Sequence, residues 1–243
     1  MTPVRTSAAR LSEAYPTERL PEIYLNWPHL VTNRHERVFS WEYRYVKRIL
    51  DLAGSAVMVC VFAIPGLIIA TAILLTSTGP LFYREERIGR NGVPFRIWKF
   101  RTMYSESDLL RFREYGTKIR SSLHSRMHKS RNDPRITAIG RVLRQWSLDE
   151  LPQVFNILAG EMSLVGPRPI VRAETPEYGE RLRFYLIAKP GLSGLWQVSG
   201  RSTVDYVERA RLDATYVRHW NLISDFQILL RTIPAVLGRV GAW

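Results

Sequence analysis

The chain has 243 residues, of which 46% are hydrophobic, and its 7 Trp and 11 Tyr are typical of an ordered chain with room for one sizeable domain. Its 35 Lys and Arg against 22 Asp and Glu give a formal net charge of +13. That charge attracts phosphate groups of nucleotides, anionic lipids or nucleic acid alike. The single cysteine, Cys60, excludes a disulfide within the chain and lies in an apolar run, as a small packed hydrophobe does.

Residues 1–40 are predicted to form an N-terminal extension. Four prolines interrupt any helix here, and no apolar core follows the two early arginines, which argues against a secretory signal peptide. The aromatic residues of this segment could lie along a membrane interface, and a mobile tail fits the same pattern.

Residues 41–78 are predicted to insert into a membrane. No Asp, Glu, Lys or Arg occurs in residues 52–83, a run longer than the roughly 20 apolar residues that a bilayer span needs. Pro65 lies near the middle, each half is too short to cross, and Lys and Arg flank both ends, as they do on the cytoplasmic side. We therefore expect a re-entrant helix–break–helix with the break at Pro65. An ordinary spanning helix with a proline kink is the alternative.

Residues 79–243 are predicted to form a cytosolic domain of the α+β class, mainly helical, with a β-hairpin. Asn91-Gly92 lies between two segments in which apolar and polar residues alternate, which is a strong hairpin signal. The length of the loop indicates a bulge. Alternation places Lys99 on the face of Phe95 and Ile97. A cation there suits phosphate binding, although a surface lysine with a buried stem is the commoner outcome.

Residues 105–132 are polar and basic, and a helix with an exposed loop is predicted for them. His124 and His128 have the i, i+4 spacing of a zinc pair, but their polar surroundings favour a solvated loop. The apolar spacing after Gly140 predicts a short helix that ends near Trp146.

Asp149 and Glu150 are adjacent carboxylates at a predicted helix start in a strongly basic chain. In one arrangement Ser147 and Glu150 form a capping box, which leaves Pro152 at a costly fifth helical position. In the other, the helix starts one residue before Pro152 and ends at Gly160. In both arrangements the positive end of the helix favours ionised carboxylates. Acidic residues near helix starts often do no more than interact with the helix dipole. The pair indicates chemistry on phosphate only if its surroundings agree.

Those surroundings contain four motifs: Lys99-Phe100-Arg101-Thr102-Met103, Asp133-Pro134-Arg135-Ile136-Thr137, Arg144-x-x-Ser147-Leu148-Asp149-Glu150-Leu151-Pro152-Gln153 and Ser163-Leu164-Val165-Gly166-Pro167-Arg168-Pro169. In order and spacing they resemble the bacterial sugar transferases, which are monotopic polyprenyl-phosphate phosphoglycosyl transferases. The resemblance runs from Lys47-Arg48-x-x-Asp51 to the glycine-rich stretch at 189–201, and on to Asp213-x-x-Tyr216, Trp220 and Asp225. It leaves only the N-terminal extension unmatched.

The resemblance implies transfer of a sugar 1-phosphate from a UDP-sugar to undecaprenyl phosphate, with release of UMP, at the start of exopolysaccharide or other surface-glycan synthesis. Carried over by motif, Asp149 is the nucleophile that forms a covalent phosphosugar intermediate. Glu150 is its catalytic partner and the ligand of Mg²⁺. The chemistry is consistent, since a carboxylate can form a covalent phospho-intermediate and Mg²⁺ takes few protein carboxylates.

The resemblance also implies a setting. It places the active site on the cytoplasmic face of the bacterial inner membrane, in contact with membrane lipid, with downstream glycosyltransferases as further partners. No nucleic acid is expected, because the sequence has no aromatic-rich nucleic-acid motif. The short chain predicts the small, catalytic-core form of the family.

Cations have to neutralise a diphosphate that approaches a carboxylate, and five are candidates for phosphate or nucleotide binding: Lys99, Arg101, Arg144, Arg168 and Arg201. Prolines on both sides of Arg168 lower the entropy that it loses on binding phosphate, with a structural loop arginine as the alternative. Glu161 is a second candidate metal ligand, although a salt bridge to a nearby arginine is the preferred interpretation.

Two details of the membrane segment are predicted separately. Asp51 is spaced to pair with Lys47 or Arg48 on one helix face. Ile64 precedes Pro65 where many relatives have a serine, so the proline must bend the segment alone.

Two features follow residue 190. Gly191, Gly194 and Gly200 could let the backbone approach a ligand, with Trp196 or Arg201 touching the nucleotide or the membrane. Six apolar residues then recur at helical spacing, which fits a helix at the membrane interface or one buried against the core: Phe226, Leu229, Leu230, Ile233, Val236 and Leu237.

Two other functions are weighed against this one. The lipid phosphate could attack the donor directly, with Asp149 acting only as a metal ligand or base. The chain could instead be a basic membrane adaptor without catalysis. The sugar is not specified, with galactose or glucose expected from the polysaccharide context and N-acetylated amino sugars also compatible.

Overall fold

A computed structural model of the chain describes residues 37–105, 108, 133, 135–200 and 204–238. The fold is mainly helical, as predicted, and contains two small sheets, of which only the hairpin was predicted. Its main elements, in chain order, are a π-helical turn Glu42–Val46, α1 Lys47–Thr76, β1 Phe82–Ile88, β2 Pro94–Phe100, α2 Ala138–Gln145, a 3₁₀ helix Leu148–Gln153, α3 Val154–Ala159, β3 Ser163–Val165, α4 Thr175–Tyr178, α5 Leu182–Ile187, β4 Gly191–Ser193, α6 Leu195–Val198, α7 Tyr206–Arg218 and α8 Leu222–Leu237. Short 3₁₀ turns occupy Arg37–Phe39, Arg90–Gly92, Arg172–Glu174 and Gly179–Arg181.

Helix α1 runs without interruption through Pro65. The helical segment Glu42–Thr76 is long and apolar enough to cross a bilayer. Most of its apolar side chains are not covered by the rest of the folded chain. The predicted break at Pro65 is therefore wrong as secondary structure. A proline removes one backbone hydrogen bond, and the apolar residues around it keep the remaining i to i−4 bonds, because lipid offers the backbone no other partner.

Both ends of α1 contact the rest of the folded chain. Near the start, Asp51 accepts hydrogen bonds from the Ser163 hydroxyl and the Leu164 amide, each at 2.9 Å. Near the end, Ile73 is buried in a cluster with Phe100 and Leu143. The predicted local pair between Asp51 and a neighbouring cation is replaced by these longer-range contacts, since the ammonium of Lys47 binds Asp225 instead.

The β-hairpin is confirmed. β1 and β2 are antiparallel, with Phe82 opposite Phe100 and Ile88 opposite Pro94. Asn91 adopts a left-handed backbone with φ of 60°, a conformation that asparagine tolerates better than most residues. The predicted helix and loop at 105–132, with His124 and His128, lie outside the described residues apart from 105 and 108.

The short helix predicted after the Asp133 motif is also confirmed, as α2. The Thr137 hydroxyl caps it by accepting from the Gly140 amide at 2.8 Å. A methyl group at Gly140 would lie 2.1 Å from the Thr102 carbonyl oxygen, so only glycine lets α2 pack this closely against the end of the hairpin. This contact fixes the chain that leads to Asp149.

The second sheet joins β3 and β4 in parallel and lies beside the main apolar core. A Cβ atom at Gly191 would lie 2.0 Å from the amide nitrogen of Gly166, and one at Gly194 would lie 2.2 Å from its carbonyl oxygen. Close backbone packing against Gly166, rather than approach to a ligand, explains these two glycines.

Helix α8 is amphipathic. Asp225 and Ile228 are buried, whereas Phe226, Leu230 and Ile233 are exposed. The buried side packs on the core and the other side carries an exposed apolar stripe, so each of the two predicted alternatives describes one face of α8.

Candidate active site

Asp149 and Glu150 lie in the first turn of the 3₁₀ helix. Ser147 precedes this helix with φ of 55°, and its side chain makes no cap hydrogen bond, so the predicted capping box does not form. The second predicted start is also displaced, since Pro152 lies inside the 3₁₀ helix and α3 begins at Val154. A 3₁₀ turn accepts proline because its fixed φ is already near the required value.

Helix α3 ends at Gly160, as predicted, with this residue left-handed at φ of 85°. Asn156, fully buried, holds α3 against β2 by accepting from the Trp98 amide and donating to the Arg96 carbonyl, both at 2.9 Å. The 3₁₀ helix is thereby placed beside β2. This packing brings the acidic pair next to Lys99.

The acidic pair has contrasting surroundings. Lys99 Nζ lies 2.6 Å from Glu150 Oε1, and both side chains are partly exposed. Burial raises the pKa of Asp149 to about 6; Glu150 adds to the shift, whereas Lys99 and Arg144 oppose it. Asp149 is thus a partly desolvated carboxylate that remains mostly ionised at neutral pH.

Three of the five candidate cations act on this pair. Besides Lys99, Arg144 donates from Nε to the Thr102 hydroxyl at 2.9 Å, and burial lowers its pKa while Asp149 counteracts that effect. The charge of Glu150 acts on Arg168. Lys99, Arg144 and Arg168 therefore all lie close enough to the two carboxylates to interact with them electrostatically.

The other two candidates behave differently. Arg101 is buried and donates to the carbonyl oxygens of Ser77 and Thr78, so it closes the C-terminal end of α1 instead of facing the pair. Arg201 lies outside the described residues. Glu161 accepts a hydrogen bond from Asn156 at 2.6 Å, so the preferred arginine salt bridge is replaced by an amide contact.

Arg168 belongs to a partly buried polar cluster that the sequence did not predict. Glu174 Oε1 holds Arg168 Nη1 at 3.0 Å, and no periodic pattern marks Glu174 as its partner. Asp213, which appears in the family-like motifs without a role, accepts from the Tyr178 hydroxyl at 2.8 Å. Burial raises the pKa of Asp213 to about 7. The hydrogen bonds that Asp213 accepts from Tyr178 and from the Arg168 amide act in the opposite direction and lower it.

An aromatic shelf continues from Arg168. The guanidinium of Arg168 lies 5.6 Å from the Trp196 ring centre, and that of Arg209 lies 4.6 Å from the same ring and 4.9 Å from the Tyr206 ring. Cations stacked on aromatic rings form a rigid, positive surface suited to phosphate or a planar base. Arg209 was missed because its position on α7 shows no pattern different from a solvated arginine.

The donor set at the acidic pair fits Mg²⁺. Across the described parts of the chain, no group of three or more His, Cys, Asp or Glu converges on one point. Mg²⁺ is commonly bound by one or two carboxylates, with phosphate and water completing its shell, and the carboxylate of Glu150 fits that requirement.

The sequence matches the bacterial sugar transferase family over residues 42–239. The chain belongs to that family.

Particular relatives are similar over most of this chain. It is 45% identical over 201 residues to the undecaprenyl-phosphate galactose phosphotransferase of Salmonella typhimurium, covering 82% of this chain and 42% of that protein. It is 43% identical over 200 residues to the exopolysaccharide production protein ExoY of Rhizobium meliloti, covering 81% of this chain and 88% of that protein. It is 41% identical over 205 residues to the UDP-glucose:undecaprenyl-phosphate glucose-1-phosphate transferase of Caulobacter vibrioides, covering 81% of this chain and 72% of that protein. The chain thus spans about two fifths of the Salmonella protein and most of the ExoY protein.

Proposed function

We propose that this protein transfers a sugar 1-phosphate from a UDP-sugar to undecaprenyl phosphate and so starts assembly of an exopolysaccharide or another surface glycan. The observation that carries the proposal is the Asp149–Glu150 pair, held beside Lys99, Arg144 and Arg168 in a chain with a membrane-type helix. The names of the relatives support the substrates, and downstream glycosyltransferases would use the product.

The proposed mechanism has two phosphoryl transfers. In the first, a carboxylate oxygen of Asp149 attacks the β-phosphorus of the UDP-sugar, and the bond to the bridging oxygen breaks as UMP leaves with its electron pair. In the second, a phosphate oxygen of undecaprenyl phosphate attacks the same phosphorus, and the Asp149 carboxylate leaves. The two steps return the enzyme to its starting state without net proton uptake.

The cations make the first attack feasible. A carboxylate and a diphosphate repel each other, and Lys99, Arg144 and Arg168 reduce that repulsion near the reacting phosphorus. Lys99 also holds Glu150 in place at 2.6 Å. Glu150 would hold Mg²⁺, which would supply charge neutralisation of the phosphate oxygens when bound. Arg201 is proposed to contact the nucleotide.

Trapping of the intermediate tests the covalent route. The purified full chain is incubated with a panel of UDP-sugars, without acceptor, and analysed by intact-protein and peptide mass spectrometry. One donor, with galactose and glucose as the first choices, is expected to release one equivalent of UMP and add one phosphosugar to Asp149. Turnover with acceptor but no adduct and no UMP burst without it would establish direct transfer instead.

The rate of the first step is expected to rise with pH through about 6. The folded-state pKa of Asp149 is about 6, and only the ionised carboxylate attacks, so the rate falls as pH drops below that value. The Lys99→Met change should move the midpoint up by roughly one pH unit, because it removes the cation that lowers the pKa of Asp149. Single-turnover UMP release from pH 5 to 8 measures this.

The matched control is Arg96→Met, which removes an exposed cation from the same strand. Its profile should coincide with that of the unmodified protein. A midpoint that stays in place in Lys99→Met would show that a group other than Asp149 limits the profile.

We further propose a re-entrant topology, with both ends of α1 on the cytoplasmic face of the inner membrane. Support comes from the contacts of Asp51 with Ser163 at one end and of Ile73 with Phe100 at the other, which tie both ends to the same folded chain. A spanning helix would put its two ends on opposite sides of a hydrocarbon layer about 30 Å thick. Because α1 is continuous through Pro65, re-entry would need a proline kink within the helix and not a break in it.

Single cysteines on either side of α1 test this topology. Arg44→Cys and Glu86→Cys, both at exposed positions, are made in a Cys60→Ala background. A membrane-impermeant maleimide is expected to label both in inverted inner-membrane vesicles and neither in spheroplasts. Labelling of one site from each side would establish a spanning helix.

A further inference from the structure

A second group of cations lies at the start of the membrane helix, apart from the acidic pair. Lys47 and Arg48 form the first turn of α1, and Arg90 and Lys189 face them from the hairpin loop and from the approach to β4. Burial, Arg48, Arg90 and Lys47 all lower the pKa of Lys189, and Asp51 alone opposes them. Like charges gathered in this way are unfavourable unless an anion joins them.

The nearby carboxylates are already engaged. Asp225 binds Lys47 at 2.6 Å, and Asp51 accepts from Ser163 and Leu164. Among the described residues, none supplies Lys189 with a carboxylate oxygen within 4 Å. Among the described residues, Arg48, Arg90 and Lys189 therefore lack a carboxylate of their own, and two of these cations, Arg48 and Lys189, lie beside Gly160.

Gly160 leaves a space between these two cations. A Cβ atom there would lie 3.7 Å from Arg48 Nη2 and 3.8 Å from Lys189 Nζ, so both nitrogens border one small volume. Arg48 is held rigidly, because its two Nη atoms donate to the carbonyls of Ile157 and Leu158 at 2.5 and 2.8 Å. A held guanidinium and an ammonium that border the same volume can bind one phosphate group.

Exposed apolar side chains follow Arg48 along α1 and lie near the end of α3. Ile49 is 64% exposed and Leu50 51% exposed, directly after Arg48 on α1, and Leu158 is 39% exposed at the end of α3. Cations followed at once by exposed apolar side chains are typical of the depth at which lipid headgroups meet acyl chains. A ligand that fits here would itself contain a phosphate group with a hydrocarbon part next to it.

We propose that Arg48, Lys189 and the gap at Gly160 bind the phosphodiester headgroup of an anionic membrane phospholipid. The gap lies at the C-terminal end of α3, whereas Asp149 and Glu150 precede the N-terminal end, so the two sites are separate. The bound lipid neutralises the two cations and fastens the folded domain to the bilayer at the start of α1. This proposal does not depend on the transferase reaction, and its test needs no turnover.

Native mass spectrometry of the full chain in detergent tests it. The protein is titrated with phosphatidylglycerol, phosphatidylcholine or undecaprenyl phosphate. Two variants weaken the site, Lys189→Gln by removing a charge and Gly160→Asp by placing a carboxylate between the cations. Two matched variants keep it: Lys189→Arg retains the charge, and Gly160→Asn has the same strain at positive φ without a new charge.

The unmodified protein is expected to retain one phosphatidylglycerol, at least about tenfold more tightly than phosphatidylcholine. Lys189→Gln and Gly160→Asp should each lower that affinity about tenfold, and the two matched variants should not. Circular dichroism checks folding, and Lys189→Gln decides alone if Gly160→Asp does not fold.

Three results would overturn the proposal. The first is equal phosphatidylglycerol retention in all variants. The second is tighter binding of undecaprenyl phosphate than of phosphatidylglycerol at the same residues, which would make the site an acceptor site. The third is displacement of the lipid by millimolar inorganic phosphate, which would mean that the acyl chains contribute nothing.

Discussion

Replacing Asp149 by asparagine is expected to lower UMP release at least about a thousandfold while the fold stays intact. An amide oxygen is a much weaker nucleophile than a carboxylate, and the change keeps the size and shape of the side chain. Asp149 is only partly buried, so its loss leaves no cavity. The measurement is the initial rate of UMP release with the donor that the trapping experiment selects.

Glu150→Gln is the matched change at the neighbouring carboxylate. It removes the charge that Lys99 binds but leaves the proposed nucleophile, so the phosphosugar adduct should still form on Asp149, more slowly. Asp149→Ala is a further control, because deamidation of the introduced asparagine would restore aspartate and give false residual activity, whereas alanine cannot revert. An Asp149→Asn protein that turns over within tenfold of the unmodified rate would rule out attack by this carboxylate.

Local sequence rules were sufficient where neighbours along the chain decide the structure. Asn91-Gly92 predicted the hairpin turn and Gly160 predicted the end of α3, because each depends on a backbone conformation that few residue types adopt. The acidic pair was also found from sequence. Its helix type was not, since packing of this segment on β2 selects a 3₁₀ turn that neither predicted helix start anticipated.

Longer-range contacts escaped the sequence rules. Spacing on one helix suggested a partner for Lys47 within four residues, but the structure pairs it with Asp225, 178 positions away. Arg101 fits a phosphate-binding motif as well as Arg144 does, and only the fold shows that its guanidinium is used on the carbonyls at the end of α1. A motif identifies which residues matter to a family without saying which of them share a pocket.

The Lys47–Asp225 pair leads to the second large prediction. The Lys47 and Asp225 side chains are only 5% and 9% exposed, and Asp225 also accepts from the Tyr216 hydroxyl at 2.7 Å and the Trp220 indole at 3.1 Å. Asp225→Asn leaves the Lys47 ammonium buried without its ion-pair partner. The expected loss of stability is about 3–5 kcal/mol, measured as a fall in the thermal unfolding midpoint of the full chain in detergent.

Two controls separate the buried charge from a general effect of losing a salt bridge. Glu208→Gln breaks the exposed pair with Arg211 on α7 and should leave the midpoint unchanged. The double change Lys47→Met with Asp225→Asn removes both charges and should recover much of the loss, because the cost comes from the unpaired ion and not from the missing attraction. Equal destabilisation in the single and double variants would mean that the Tyr216 and Trp220 hydrogen bonds, and not the ion pair, hold the start of α1 to α8.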